Sequence, residues 1–112
     1  MKKLEIIIKA EKLEDVKTVL EKNEINGMNI TNIMGYGTQK GMVKAYRGNE
    51  YNVNLLPKIK VETVVEDDIV EKLIDELSDA IHTGNIGDGK IFIYDVLDAV
   101  RIRTGERGTD AL

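Results

Sequence analysis

Stretches of alternating and of helically spaced apolar residues follow one another along this chain, and each stretch predicts one element. Residues 3–9 (KLEIIIK) are apolar and rich in isoleucine, which is typical of a buried strand. Between residues 11 and 23 apolar side chains recur at helical spacing, and charged side chains fill the other positions. Residues 28–34 (MNITNIM) then predict a second strand with less regular alternation.

The same order recurs after a long interval. Residues 58–65 (KIKVETVV) alternate between apolar and charged side chains, so one face of this predicted strand is buried. Asp67 and Asp68 precede the next helical stretch, and Asp68 with Glu71 has the spacing of a capping box. The apolar stripe that predicts this second helix consists of Val70, Leu73, Ile74, Leu77 and Ile81.

The last part of the chain predicts three short elements. Gly84 is suited to end the second helix. Residues 90–95 (KIFIYD) predict a strand, residues 96–99 a turn or short helix, and residues 100–104 (VRIRT) one more strand.

This order of elements predicts an α+β fold, the ferredoxin-like βαββαβ sandwich, in which two helices cover one face of an antiparallel sheet. A chain of 112 residues forms one domain, spanning residues 1–112. The other face of the sheet is expected to expose a large apolar patch, and oligomerisation would bury it.

Residues 35–57 (GYGTQKGMVKAYRGNEYNVNLLP) separate the two halves and greatly exceed a hairpin loop of about two to five residues. Long loops in compact domains are usually functional or disordered. The segment carries Tyr46, Arg47 and Tyr51, and tyrosine and arginine often anchor protein interfaces. Two interpretations stay open: a flexible insertion, or an arm of about residues 37–55 that docks on other proteins.

Composition and charge narrow the classes of function. A net charge of -4 argues against nucleic acid as a partner, because such partners favour a basic face. The chain has no cysteine, which excludes a disulfide framework and a thiolate metal site. The N-terminal apolar run is too short and too interrupted by charge for a signal peptide, so we expect a soluble cytoplasmic protein.

Residues 84–90 (GNIGDGK) satisfy the glycine and lysine half of a phosphate-binding P-loop. Ile91 stands where a P-loop has the serine or threonine that holds magnesium, and here the loop follows a helix and precedes a strand. A P-loop nucleotide hydrolase is therefore excluded. Backbone amides in such a loop can still cradle phosphate oxygens, and a plain helix-to-strand turn is the equally weighted alternative.

Arg101 and Arg103 shift this balance towards phosphate. Two positions apart on a predicted strand, they share one face, and a guanidinium binds two phosphate oxygens at once. The alternative is a solvated edge where local carboxylates such as Glu106 pair with the arginines. No nucleophile and base stand at a recognisable spacing, so no catalytic residue is predicted.

Five stretches together resemble the PII signal-transduction proteins of nitrogen control, and the resemblance extends along nearly the whole chain. These stretches are residues 35–41 (GYGTQKG), 46–51 (YRGNEY), 56–60 (LPKIK), 83–92 (TGNIGDGKIF) and 101–105 (RIRTG). The resemblance implies a homotrimer that binds ATP or ADP in the clefts between subunits. It also implies that 2-oxoglutarate binds together with Mg-ATP, and that the long loop engages targets.

The implied targets are ammonium transporters, glutamine synthetase, nitrogenase or other nitrogen-metabolism regulators, and a transporter would recruit the protein to the membrane. The implied function is thus a non-catalytic sensor. A small ferredoxin-like phosphohydrolase using residues 84–90 is the alternative, and a structural trimer without ligand is a third possibility.

The resemblance also assigns residues to each ligand. Gln39 would bind magnesium, and Lys58 would pair with a 2-oxoglutarate carboxylate beside Gln39, Lys40 and Gly41. Tyr51 would be open to nucleotidylation and would contact targets together with Tyr46 and Arg47. The implied nucleotide-binding residues are Asn29, Gly35, Gly37, Thr38, Gln39, Val64, Gly87, Asp88, Gly89, Lys90, Arg101 and Arg103.

Four positions depart from the common pattern of the family. Thr38 stands where arginine is frequent, and Asn29 stands where threonine is usual near the adenine. Asn49 replaces a serine that some members phosphorylate, and Ala10 replaces a common proline. These departures bear on nucleotide affinity and exclude phosphorylation at position 49.

Overall fold

A computed structural model describes residues 1–37, 43–46, 49–52 and 55–112, with side chains in the first and last of these ranges. The helices and strands are β1 (Lys2–Ile8), α1 (Leu13–Lys22), β2 (Asn29–Tyr36), β3 (Val43–Tyr46), β4 (Asn49–Asn52), β5 (Leu55–Val65), α2 (Val70–Ile81) and β6 (Lys90–Asp95).

Four strands form one sheet in the order β2-β5-β1-β6, and each neighbouring pair is antiparallel. With α1 and α2 as the two crossovers, this topology confirms the predicted ferredoxin-like sandwich. β3 and β4 pair with each other in a separate sheet of two strands. The pattern of residues 35–57 gave no sign of these two strands.

The core lies between the helices and one face of the sheet. Alternate residues of β1 and β5 are buried, and so is the predicted stripe of α2 apart from the half-buried Ile74. Thr63 is the polar residue of this core, and its hydroxyl donates a hydrogen bond to the Gly27 carbonyl oxygen at 2.6 Å. The largest fully buried side chains among the described residues are Leu4, Ile6, Ile8, Val16, Leu20, Val61, Leu73 and Leu77.

The sheet face opposite the helices is mixed, so the large apolar patch expected there is wrong. Lys3 Nζ lies 3.3 Å from a Glu62 carboxylate oxygen and 4.6 Å from the centroid of the Tyr94 ring. Lys60 Nζ lies 3.4 Å from Glu62 as well. Because β1 and β5 alternate apolar with charged residues, the second face carries a network of ion pairs.

The start of α2 also differs from the prediction. A 3₁₀ turn (Asp67–Ile69) precedes the helix, and no side chain caps its first residue Val70, so the capping box of Asp68 and Glu71 does not form. Asp67 instead lies 2.9 Å from the amino group of Met1. A long-range ion pair therefore takes the place of the local cap.

The predicted strand at residues 100–104 is wrong. A single bridge joins Val100 to Arg107, and between them the chain turns. The Gly105 amide donates to the Arg101 carbonyl oxygen at 2.7 Å, and the Arg101 amide donates to the Glu106 carbonyl oxygen at 2.9 Å. The turn closes because Gly105 adopts a positive φ of 76°, which an apolar alternation pattern does not reveal.

No helix among the described residues is long and apolar enough to cross a membrane.

Replacing Leu73 with alanine tests the core. Leu73 is fully buried in α2, so its removal should lower the free energy of unfolding by about 2–5 kcal/mol, measured by urea denaturation. Asp75→Ala, at an exposed position of the same helix, should change it by less than about 0.5 kcal/mol. Equal stability of the two variants would contradict this packing.

Candidate functional site

The structure separates the predicted site residues into two groups at opposite ends of the sheet. Gly35 of β2 lies opposite Leu56, whereas Asn29 lies opposite Glu62. These positions of β2 are six residues apart, which corresponds to ~20 Å along a strand. We call one group the first half-site (Gly35, Gly37, Lys58 and residues 87–90) and the other the second half-site (Asn29, Val64, Arg101 and Arg103).

The C-terminal segment places Arg101 in the second half-site, and Arg103 follows it in the same turn. The chain leaves β6 beside Met1, because the Val96 amide donates to the Met1 carbonyl oxygen at 3.1 Å. Arg101 then donates to the Leu112 carbonyl oxygen at 3.0 Å, and Leu112 lines the same groove as Val64. Lys90, by contrast, pairs with Ile7 at the other end of β1.

Asp88 organises the loop of residues 84–90. Its carboxylate accepts hydrogen bonds from the Thr83 hydroxyl, from the Thr83 amide at 2.8 Å and from the Gly84 amide at 3.0 Å. These bonds, the hydroxyl first, lower the pKa of Asp88 to about 2. The Asp88 side chain thus stabilises the loop through hydrogen bonds to neighbouring residues. Thr83 was not predicted, although Thr and Asp near short turns often make such local bonds.

Gly89 brings the loop against the end of β1. A Cβ atom at Gly89 would lie 1.8 Å from the Ile7 carbonyl oxygen, and the residue has a positive φ of 107°. Only glycine is compatible with this close approach. Among the described residues, no acceptor engages the amides of Gly87, Asp88 and Gly89. A cradle of free amides is what a phosphate requires.

Lys58 connects β5 to this loop. Its ammonium donates a hydrogen bond to the Gly87 carbonyl oxygen at 3.0 Å. Its aliphatic stem lies over Gly35, where a Cβ atom would be 3.2 Å from Lys58 Cγ. Partial burial, followed by the nearby Lys9, lowers the pKa of Lys58, and Asp88 partly opposes this.

The second half-site contains a shallow groove, and neither arginine is among the residues that line it. Lys3, Gly27, Asn29, Glu62 and Val64 line a groove of about 330 Å³. Arg101 Nη1 lies 2.8 Å from a Glu106 carboxylate oxygen, as the alternative interpretation of the arginine pair stated. Arg103 is exposed and has no hydrogen-bond or ion-pair partner among the described residues. Neither arginine lies on a strand, so the prediction that both share one strand face is wrong.

Several predicted residues lie outside the described part of the chain. They are Thr38, Gln39, Lys40, Gly41 and Arg47. Tyr46 and Tyr51 belong to β3 and β4, where they pair with Asn49 and Lys44 respectively, and their side chains are not described. The part of the chain that the structure describes contains no cluster of three His, Cys, Asp or Glu residues that could hold a metal.

The pKa of Asp88 provides a test of the loop. Thr83→Val removes the hydroxyl that contributes most, so the pKa should rise from about 2 towards its ordinary value of 3.8 in an NMR titration. Because the folded-state pKa is depressed, these bonds persist above pH 3.8 and are lost as the pH falls through about 2. Thr83→Ser should keep the wild-type pKa. An unchanged pKa in Thr83→Val would refute the arrangement.

Comparison with known proteins gives one consistent result. The sequence profile of the family described as Nitrogen regulatory protein P-II matches residues 1–106. Proteins named Nitrogen regulatory protein P-II from Rhodospirillum rubrum and Azospirillum brasilense are 52% and 53% identical to this chain over 112 residues. Nitrogen regulatory protein P-II 1 of Escherichia coli is 50% identical. Each alignment covers 100% of both chains. The chain therefore belongs to the nitrogen regulatory protein P-II family.

Proposed function

We propose that this protein is a non-catalytic sensor of ATP, ADP and 2-oxoglutarate, and that it regulates nitrogen assimilation by binding target proteins. Membership of the P-II family supports the regulatory role in nitrogen metabolism. The proposed target-binding arm is the segment of about residues 37–55, with Tyr46, Arg47 and Tyr51 as its contacts. Its targets are an ammonium transporter, glutamine synthetase, nitrogenase or another nitrogen-metabolism regulator.

The separation of the two half-sites is the observation that carries this proposal. A separation of ~20 Å is long for the phosphate-binding groups of both half-sites, Lys90 and Arg103, to meet the same phosphates within one chain. They can do so when the first half-site of one copy meets the second half-site of the next. Such a head-to-tail contact is heterologous, and heterologous contacts that close form rings. We propose a homotrimer with three nucleotide sites.

Each half-site has a chemical role in this proposal. The free amides of residues 87–89 and the Lys90 ammonium bind phosphate oxygens, and the carboxylate of Asp88 is occupied by Thr83 and Gly84. The exposed guanidinium of Arg103 in the next copy completes the phosphate site. Arg101 is held by Glu106 and Leu112, so it supports the turn that carries Arg103.

2-Oxoglutarate binds next to the same phosphates in this proposal. Lys58 pairs with a carboxylate, and the 2-oxo acid chelates a magnesium ion that ATP phosphates and Gln39 hold. Gln39, Lys40 and Gly41 belong to the start of the arm. Ligands would therefore shift the population of arm conformations, and each target would bind one of them.

The phosphohydrolase alternative has weaker support. It needs a general base near the phosphates, and a base is effective when its pKa lies near the working pH. Asp88 is the carboxylate within the loop, and its pKa of about 2 makes it a poor base.

Lys90→Ala and Arg103→Ala should each weaken ATP binding by roughly 1.5–3 kcal/mol, the usual worth of a hydrogen bond to a charged group. Isothermal titration calorimetry measures this loss. Lys72→Ala removes an exposed lysine of α2 and should leave ATP affinity unchanged. Sedimentation should give three times the chain mass of 12.6 kDa for all variants. Wild-type ATP affinity in both site variants, or a monomeric wild type, would refute the proposal.

2-Oxoglutarate should bind only in the presence of Mg-ATP, because the metal needs the γ-phosphate. Linkage requires that 2-oxoglutarate tighten ATP binding by the same factor in return. Calorimetry with Mg-ATP, with ADP and without nucleotide tests both statements. Lys58→Met should abolish 2-oxoglutarate binding in the presence of Mg-ATP, and Lys72→Met should preserve it. Equal 2-oxoglutarate affinity in the three conditions, or an unaffected Lys58→Met variant, would contradict the assignment.

A further inference from the structure

Asn26 and Gly27 form an exposed pair in the loop between α1 and β2. The antiparallel pairing of β2 begins only at Asn29, which lies opposite Glu62. Among the described residues, neither the side chain of Asn26 nor the backbone amide of Gly27 takes part in a hydrogen bond. A Cβ atom at Gly27 would have no other atom within 4 Å, so the space around this peptide is open.

An asparagine followed by a glycine carries the chemistry of deamidation. The Gly27 amide nitrogen attacks the carbonyl carbon of the Asn26 side chain, a cyclic imide forms, and the side-chain nitrogen leaves as ammonia with the proton of the Gly27 amide. Water then opens the imide at either carbonyl, which gives aspartate or isoaspartate at position 26. Glycine favours the first step because it has no Cβ atom and restricts the backbone least. Water is the one co-reactant.

The chain contains a second pair of this type, Asp88 followed by Gly89, and the structure restrains it. The Asp88 carboxylate accepts hydrogen bonds from the amides of Thr83 and Gly84. A Cβ atom at Gly89 would lie 1.8 Å from the Ile7 carbonyl oxygen, so this glycine is packed against β1. The pair in the loop between α1 and β2 has neither restraint.

The exposed pair also lies at the second half-site. Asn26 and Gly27 both line its groove of about 330 Å³. The Thr63 hydroxyl donates to the Gly27 carbonyl oxygen at 2.6 Å, which holds the loop against this end of β5. A carboxylate at position 26 would add a negative charge to a groove where Lys3 is already paired with Glu62. Such a charge repels an anionic ligand.

We propose that Asn26 is a site of spontaneous deamidation, and that the resulting carboxylate weakens nucleotide binding at the second half-site. The modification itself follows from the chemistry and the exposure of the pair. Its effect on binding rests on the proposed function for the identity of the ligand. Because the modification accumulates with time, aged molecules bind the nucleotide less tightly than new ones.

Peptide mapping by mass spectrometry tests the modification. The folded protein is incubated at neutral and at mildly alkaline pH, cleaved with trypsin and analysed by fragmentation. The tryptic peptide of residues 23–40 also contains Asn29 and Asn32 of β2, each followed by a β-branched isoleucine, and these two serve as internal controls. Asn26 should lose its amide while the two controls keep theirs.

Two variants test whether the reaction uses this pair. Asn26→Gln should abolish the product, since the longer side chain would have to close a larger ring. Gly27→Ala should slow the reaction, and it should fold normally because no atom lies within 4 Å of the added methyl group. An Asn26 that stays as intact as Asn29 would overturn the proposal, and so would an equal rate in Gly27→Ala.

Calorimetry with ATP tests the effect on the second half-site. Asn26→Asp supplies the product carboxylate and should bind ATP about two- to five-fold more weakly than the wild type, the range expected for one exposed charge. Thr18→Asp adds the same charge at an exposed position of α1 and should leave ATP affinity unchanged. Asn26→Gln keeps a neutral amide and should bind ATP more tightly than Asn26→Asp.

The outcomes separate this inference from the proposed function. If the wild type and Asn26→Asp bind ATP equally well, the effect on affinity is refuted and the sensor function stands. If the wild type does not bind ATP, the sensor function fails together with that effect, whereas the peptide map still decides whether Asn26 is modified. An intact Asn26 in a protein that binds ATP normally would refute the modification and leave the sensor function in place.

Discussion

The pairing register of the sheet is the constraint on which the proposed function depends. Antiparallel hydrogen bonds hold Gly35 opposite Leu56 and Asn29 opposite Glu62, so the two half-sites stay ~20 Å apart. A shift by one residue would turn the buried faces of β1 and β5 outward, which the core does not permit. In the proposed function, a phosphate that both half-sites bind therefore lies between two chains.

The first half-site combines contacts that fix the loop with one contact whose donor can also bind an anion. Gly89 against the Ile7 carbonyl and Asp88 on the amides of Thr83 and Gly84 fix the loop in place. The contact of Lys58 with Gly87 differs, since the same ammonium can also bind an anion. In the proposed function this fixed loop binds phosphate, and Lys58 would link it to a second ligand.

Sequence reasoning predicted the four main strands and both helices because their apolar spacing reports burial directly. It missed β3 and β4, which lie in a segment without such spacing, and it took residues 100–104 for a strand although Gly105 closes a turn. Local motifs located the glycine loop and the arginines. The contact of Lys58 with Gly87 joins residues 29 positions apart, and a pattern within one segment carries no information on such long-range contacts.

A mixing experiment tests most directly whether one site is built from two chains. Lys90→Ala and Arg103→Ala subunits are dissociated, combined in equal amounts, reassembled and titrated with ATP. In a head-to-tail ring about a quarter of the sites then receive an intact first half-site from one subunit and an intact second half-site from the next. Recovery of that fraction of tight sites is the predicted result. No tight site in the mixture would contradict the shared site, because each chain would then hold its own nucleotide.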